Sequence, residues 1–475
     1  MSEPAKKTYS FVHSLVMLLL AIATIVVGKL VFSFDTTLVL LCSTLITSIY
    51  GCLTKVPWKD IQDSMVSGFK SIAVPVIMLL EIGILVGSWM ISGTIPTMMY
   101  YGLRIIDPRF FLVMACILCA LISSLAGTSY GTVSTVGVAL AGIATGFGIP
   151  LAPAAGAIVV GSWFGDSMSP LSDSTVMVSN ACNVPLLEQI RHNMYTTIPA
   201  FLISLLFFFF YGLQFGGPVV MDASQQEILS VLENSFVINP FMLLPPVIVF
   251  VLIFMKKPTL PVFAAGIVTA LLLAIFVQGQ PFADAMAMLV SGFNGSTGSD
   301  LVDTLVNRGG MNSMMSTVSL VLASAAFSAP LRASGCVQTL LDQLERVAKT
   351  DRQFMLLTTV LHPLLFIVSV TYYVSYTFLG DMMSDGYERR GLSRKNLARI
   401  MSDTGVCLAA LIPWGAAGAV VSSQLGITAW DYAIYAPFNW LCLVFGVIYI
   451  FTGFGIANTD GTMRRRFFAG RKKGA

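Results

Sequence analysis

The chain has 475 residues, of which 56% are hydrophobic and 11% charged, with 32 phenylalanines, 24 methionines and a formal net charge of +3. A soluble domain carries about 25% charged residues, so the composition excludes a water-soluble globular protein and points to a polytopic, all-α membrane protein. Membrane lipid is the expected surrounding, and no nucleic-acid partner is expected.

The amino terminus carries Lys6 and Lys7 ahead of a long apolar stretch with no small-residue cleavage site, so it reads as a retained first span and not as a signal peptide. Apolar runs of bilayer length lie at Phe11 to Val31, Thr36 to Leu53, Ser71 to Ile91, Phe110 to Leu125, Met194 to Phe215, Pro240 to Met255, Leu260 to Val277, Met311 to Leu331, Phe354 to Tyr373, Gly405 to Gln424 and Tyr435 to Phe454. Thr132 to Phe147 and Leu151 to Phe164 read as further spans or as re-entrant hairpins, which predicts about ten to thirteen crossings. The polar insertion between Gly216 and Asn239 is too short to fold alone. The CxxC at Cys116 and Cys119 lies inside a lipid-length helix, so the cysteines read as packing residues. The three histidines, His13, His192 and His362, share no metal-ligand spacing and read as structural or interfacial.

A repeat organises the chain. Pro57-Trp58-x-Asp60 followed by Met65-Val66-Ser67-Gly68-Phe69 recurs as Pro281-Phe282-x-Asp284 followed by Leu289-Val290-Ser291-Gly292-Phe293. Lys55, Lys59 and Lys70 bracket the first copy, whereas the second has only Asp284, Asp300 and Asp303 between Pro258 and Asn307. By the positive-inside rule the first copy lies in the cytoplasm and the second outside. Such inversion is the signature of secondary transporters that alternate access around a midplane site. The expected organisation is a tail and first helix (1–35), a first repeat (36–215), an external linker (216–239), a second, inverted repeat (240–456) and a basic cytoplasmic tail (457–475), with both termini cytoplasmic. The basic run from Arg389 to Arg399 also belongs inside, which requires an extra crossing or hairpin between Tyr373 and Tyr387.

The stretch GSWFGDSMSPLSDST, Gly161 to Thr175, places Asp166 and Asp173 among hydroxyls between apolar segments. A carboxylate at bilayer depth costs about 2.5–3.5 kcal/mol on insertion scales, which makes the pair a functional-site hypothesis. Pro170 forbids an uninterrupted helix, and freed carbonyls with carboxylates and hydroxyls suit a small hard cation. Asp166 and Asp173 are the expected cation ligands, with Asp173 the nearer to the chemistry because hydroxyls flank it on both sides. Ser169, Ser172, Ser174 and Thr175 are ligands or their supports, and Thr128 and Ser129, with Thr132, are further hydroxyl ligands or a close-packing face. Both acidic segments, this one and Leu379-Gly380-Asp381, are expected to depart from regular helix, with Asp381 and Ser375 forming a second-repeat site. Glu81, mid-span in MLLEIGIL, is a proton carrier or a protonated acid bonded to a neighbouring helix. Asp403 is a site residue or the N-cap of the span that follows. Arg332 contacts an organic anion or snorkels to the interface.

Further motifs are GSWMISGTIPTMMYYGL from Gly87, GTSYGTVSTVGVALAGIA from Gly127, IRHNMYTTIPA from Ile190, NRGGMNSM from Asn307, GLSRKNLARIMSDTG from Gly391 and LIPWGAAG from Leu411. With the FGDSMSPLSDST run, they make the chain resemble the NhaC-type sodium/proton antiporters of the ion transporter superfamily from Lys55 to Gly455. The resemblance implies exchange of Na⁺ for H⁺, although relatives exchange malate and lactate or move amino acids. Val176 replaces an asparagine common in the family, and Ser402-Asp403 replaces its usual acidic pair; each departure implies a changed stoichiometry or an organic cargo.

The reading is therefore a secondary active transporter, not an enzyme, exchanging Na⁺ and H⁺ by alternating access in a bacterial cytoplasmic membrane, with no cofactor. Its rival is Na⁺- or H⁺-coupled movement of a small organic acid or amino acid. A remote alternative is an intramembrane aspartyl hydrolase using Asp166 and Asp381, which would have to share a proton across one site. If the chain assembles, a homodimer is the expected form.

Overall fold

The computed structural model describes residues 10–464 except 33, 171, 216–222, 256, 308, 337–338, 340–347 and 370–371. Lys6, Lys7, Asp222, Lys256 and the basic tail from Arg465 onward lie outside the described residues, as does the side chain of Asp381.

The described chain is built from helices, as bilayer physics requires: hydrocarbon offers no partner for backbone polar groups, so each span must satisfy its own. Among the described residues six helices are long and apolar enough to cross a membrane, and up to eight if two bent pairs, kinked by 91° and 63°, each count as one span. Continuous spans are fewer than the apolar runs because several runs are interrupted. Thr132 to Phe147 changes to π geometry at Val133–Gly137, and Gly405 to Gln424 is broken between Ala409 and Ala416. Burial separates rim from interior: 22% of the Phe11–Gly28 and Leu186–Phe215 windows is buried, against 72% for Met311–Ala333.

The two copies of the repeat motif start alike and then diverge. Pro57 and Pro281 each precede the first residue of a helix. The first helix continues through Gly68 to Ile91, whereas the second stops at Ser291, with Gly292 at φ 87°. The broken segment then leans on the long helix: Gly310 N donates to the Gly83 carbonyl at 2.8 Å, and a Cβ on Gly87 would stand 2.8 Å from Gly310 N.

Ion pairs group the loops by side. Asp351 meets Arg390 at 3.7 Å and Arg464 at 2.8 Å, and Lys395 meets Glu188 at 2.6 Å. The basic run and the start of the basic tail therefore share one side, as expected from their charge. Tyr372–Arg389 is a single helix packed on Asp351–Ser369, and the Arg390 bond to the Ala348 carbonyl, at 2.7 Å, brings their far ends together. The stretch from Tyr373 to Tyr387, where an extra crossing or hairpin is expected, is thus a helix that runs back along Asp351–Ser369. The segments expected outside also touch, through Ser299 Oγ donating to Glu227 at 2.7 Å.

The seam between Phe111–Ala126 and Leu151–Met168 positions the acidic stretch. A Cβ on Gly161 would lie 2.1 Å from the Cys116 carbonyl oxygen and one on Gly165 2.4 Å from that of Ala120, while Ser123 Oγ donates to the Ser162 carbonyl at 2.6 Å. Small residues let membrane backbones approach in this way, and the approach fixes Asp166, the next residue. Gly165→Val is expected to destabilise by about 3 kcal/mol, the upper range for overpacking, because the obstructing atoms are backbone. Thermal unfolding in detergent measures it, and an unchanged midpoint would show the seam to be loose.

Candidate functional site

The acidic stretch breaks where Pro170 requires. Helix Leu151–Met168 ends, and Asp173–Cys182 begins with Ser172 as its cap, the Ser172 hydroxyl accepting from Thr175 N at 3.4 Å. Asp166 lies in the last turn before the break and is 5% exposed. Its Oδ2 accepts from Ser129 Oγ at 3.2 Å and Ser174 Oγ at 3.3 Å. Ser172 and Ser174 bond each other at 2.8 Å. The Asp166 carbonyl accepts from Thr175 Oγ1 and from Ser169 N, both at 3.2 Å, and the Ser169 side chain is fully buried.

Asp173 occupies the first helical position, with its side chain exposed. The hydroxyl cluster is built around Asp166 and not around Asp173, where the sequence places hydroxyls on both sides. The cause is helical geometry: once Ser172 caps the helix, Ser174 and Thr175 turn inward and Asp173 turns out. Thr128 accepts from Gly131 N at 3.2 Å as the cap of the short helix Ser129–Thr132, and Thr132 Oγ1 donates to the Thr128 carbonyl at 2.9 Å. Of the hydroxyls in that turn, Ser129 is the one that bonds the carboxylate.

A second buried carboxylate comes from the other half of the chain. Asp403, 1% exposed, lies in a π segment, Ser402–Val406, behind helix Arg394–Met401. It is therefore not an N-cap. Single π turns inside α-helices occur frequently at functional sites. Thr196 Oγ1 donates to Asp403 Oδ1 at 2.7 Å, and Asn193 and Gln189 donate to Ser402 Oγ at 3.1 and 3.4 Å. His362 Nδ1 meets Thr404 Oγ1 at 2.7 Å, with Ser375 Oγ 3.4 Å from the other ring nitrogen. Helix Leu151–Met168, which carries Asp166, packs against this π segment.

The remaining candidates lie apart from these bonds. Glu81 is half-buried on the long helix, with Oε2 shielded and without a hydrogen-bond partner. Arg332 sits within helix Met315–Ala333 and donates to the Ser64 carbonyl at 3.0 Å. That bond ties helix Met315–Ala333 to helix Trp58–Ile91. Asp381 falls in the unbroken helix Tyr372–Arg389, so the second acidic segment does not depart from helix as expected. Unlike the first, it holds no proline to force a break.

Sequence reasoning missed Gln189, Asn193, Thr196, Arg399 and His362. The first three stand four and three residues apart on one face of helix Leu186–Gly212, and that periodicity was the available signal. Nothing local marked Arg399 or His362.

An oxygen cluster around one buried carboxylate, with a second buried carboxylate on a segment packed against its helix, can hold a small cation or a proton. The Na+/H+ antiporter family model matches residues 4–184 and 161–454. The chain belongs to the Na⁺/H⁺ antiporter family. It is 34% identical over 462 residues, 97% of this chain and 99% of the relative, to the Na⁺/H⁺ antiporter NhaC of Alkalihalophilus pseudofirmus. It is 36% identical to the NhaC of Bacillus subtilis, covering 84% of this chain and 87% of that one. A malate-2H⁺/Na⁺-lactate antiporter of Bacillus subtilis is 35% identical, covering 88% and 89%. As an antiporter-family member the chain is a multi-pass membrane transporter and not an enzyme, which removes the hydrolase reading of Asp166 and Asp381.

Proposed function

We propose that this chain exchanges Na⁺ for H⁺ across a bacterial cytoplasmic membrane, with both termini inside and two inverted repeats providing alternating access. The observation that carries the reading is Asp166, buried at a helix break with Ser129 and Ser174 on its carboxylate and Ser172 bonded to Ser174. A serine hydroxyl donates to an empty carboxylate and, by rotating, offers a lone pair to a bound cation. Na⁺ and H⁺ then compete for the same oxygens. Exchange follows if the sodium-bound and protonated forms, both neutralised, reorient while the bare carboxylate does not, because the uncompensated charge is costly to carry through the interior. The Asp173 charge beside this site favours cation occupancy, and Asp403 is the second carboxylate of the path. Glu81 is kept as a candidate proton carrier.

Family membership and two relatives named as Na⁺/H⁺ antiporters support this cargo. The malate/lactate relative supports a second reading, coupled exchange of a small organic acid. The deciding experiment reconstitutes the protein in sealed vesicles and measures proton movement driven by a Na⁺ gradient, beside uptake of labelled malate, lactate and a panel of amino acids. Na⁺-driven proton flux in the absence of organic solute is the expected result. Flux that needs an organic solute overturns the Na⁺/H⁺ reading in favour of the second.

A further inference from the structure

Beyond the Asp166 cluster, three metal-ligating side chains converge in the interior. Asp403, Cys407 and Cys442 are all buried, and each places a ligand atom within 4.8 Å of the other two. Asp403 and Cys407 are four residues apart through the π segment, and Cys442 comes from helix Pro437–Thr452, which packs against that segment. On that helix Asn439, Cys442 and Gly446 share a face, being three and four residues apart. A Cβ on Gly446 would lie 3.2 Å from Asp403 Oδ2, so the free carboxylate oxygen points at the helix that carries Cys442.

Two unpartnered oxygens mark this spot. Asp403 Oδ2 is buried without a hydrogen-bond partner although Oδ1 is held by Thr196, and Asn439 Oδ1 is likewise unpartnered while its Nδ2 donates to the Cys407 carbonyl at 2.7 Å. A buried acceptor left empty is costly. Ligand atoms of a tetrahedral site with metal–sulfur bonds of about 2.3 Å stand about 3.8 Å apart, within the spread found here. Two sulfurs and one carboxylate oxygen suit a soft or borderline d¹⁰ cation, whereas a hard cation such as Na⁺ suits the all-oxygen cluster at Asp166.

We propose that Asp403, Cys407 and Cys442 form a binding site for a thiophilic divalent cation of the zinc or cadmium type. On binding, each thiol releases its proton to solvent as its metal–sulfur bond forms. The loaded site staples the π segment to helix Pro437–Thr452, and the transporter stops cycling.

The test titrates Cd²⁺ into the purified, reduced protein in detergent and follows thiolate-to-cadmium charge-transfer absorption in the ultraviolet. One saturating equivalent is expected for the unmodified protein, with a weaker band in Cys442→Ser and in Cys407→Ser and none in the double variant. Cys116→Ser, in the other buried cysteine pair, is expected to leave the band unchanged. In vesicles, Cd²⁺ block of flux is expected to be lost in Cys442→Ser. Absence of the band in the unmodified protein overturns the proposal without reference to any variant's folding. So does a band that persists in the double variant or disappears in Cys116→Ser.

Discussion

Asp166→Asn is expected to abolish coupled exchange, with Na⁺-driven proton flux in vesicles falling by about 100-fold or more, since even outer-shell groups of an ion site cost 10–100-fold. The amide keeps the size of the side chain and can still accept from Ser129 and Ser174, which lie 3.2 and 3.3 Å from Oδ2. What it loses is the charge that holds Na⁺ and the capacity to exchange it for a proton. Folding should survive, because a neutral side chain is cheaper to bury than a carboxylate. Asp173→Asn is the discriminating companion. Its side chain is exposed and its charge acts on Asp166 from a distance, so it should lower apparent Na⁺ affinity by a few-fold, within the range of about 1 kcal/mol for an exposed charge. Abolition by Asp173→Asn together with near-normal flux in Asp166→Asn would invert the assignment.

Asp403→Asn is expected to lower apparent Na⁺ affinity by about tenfold or more and also to lower stability. The two effects have separate causes. Thr196 can still donate, at the 2.7 Å now spanned to Oδ1, to an amide oxygen, so the local hydrogen bond is kept. Arg399, however, is fully buried with Nε and Nη2 unpartnered, and Asp403 is the foremost charge acting in its favour. Removing one member of a buried charge pair leaves the other uncompensated, which costs about 3–5 kcal/mol for pairs in contact and less here, where no direct contact is made. The double variant Asp403→Asn/Arg399→Gln separates the roles by the logic of a mutant cycle. If Asp403 binds the ion, the second change restores the unfolding midpoint and leaves transport impaired. Recovery of both would reduce Asp403 to a counter-charge.

Composition and run length were enough for the membrane class, because a bilayer leaves helices as almost the sole solution for such a chain. Pro170 was enough for the break between Met168 and Asp173, since a proline inside a helix removes a bond and clashes with the preceding turn. Charge placed the basic run and the start of the tail on one side, and the ion pairs at Asp351 agree. Motif content pointed to the antiporter family, to which the chain belongs. All of these are local or additive properties that a linear string carries without knowing its partners.

Tertiary structure decided the rest. The order of Asp166 and Asp173 turned on which residue capped the restarted helix and on where Ser129, 37 residues upstream, was delivered. Asp403 left the N-cap alternative because Thr196, 207 residues earlier, and a π turn surround it. Gly68 and Gly292 sit in matching motifs, yet helix continues through one and ends at the other, because the second segment folds back onto Gly83 and Gly87. In each case the outcome depends on a contact between residues far apart in sequence, and a hydroxyl or carboxylate has no preference among such partners until packing brings one within reach.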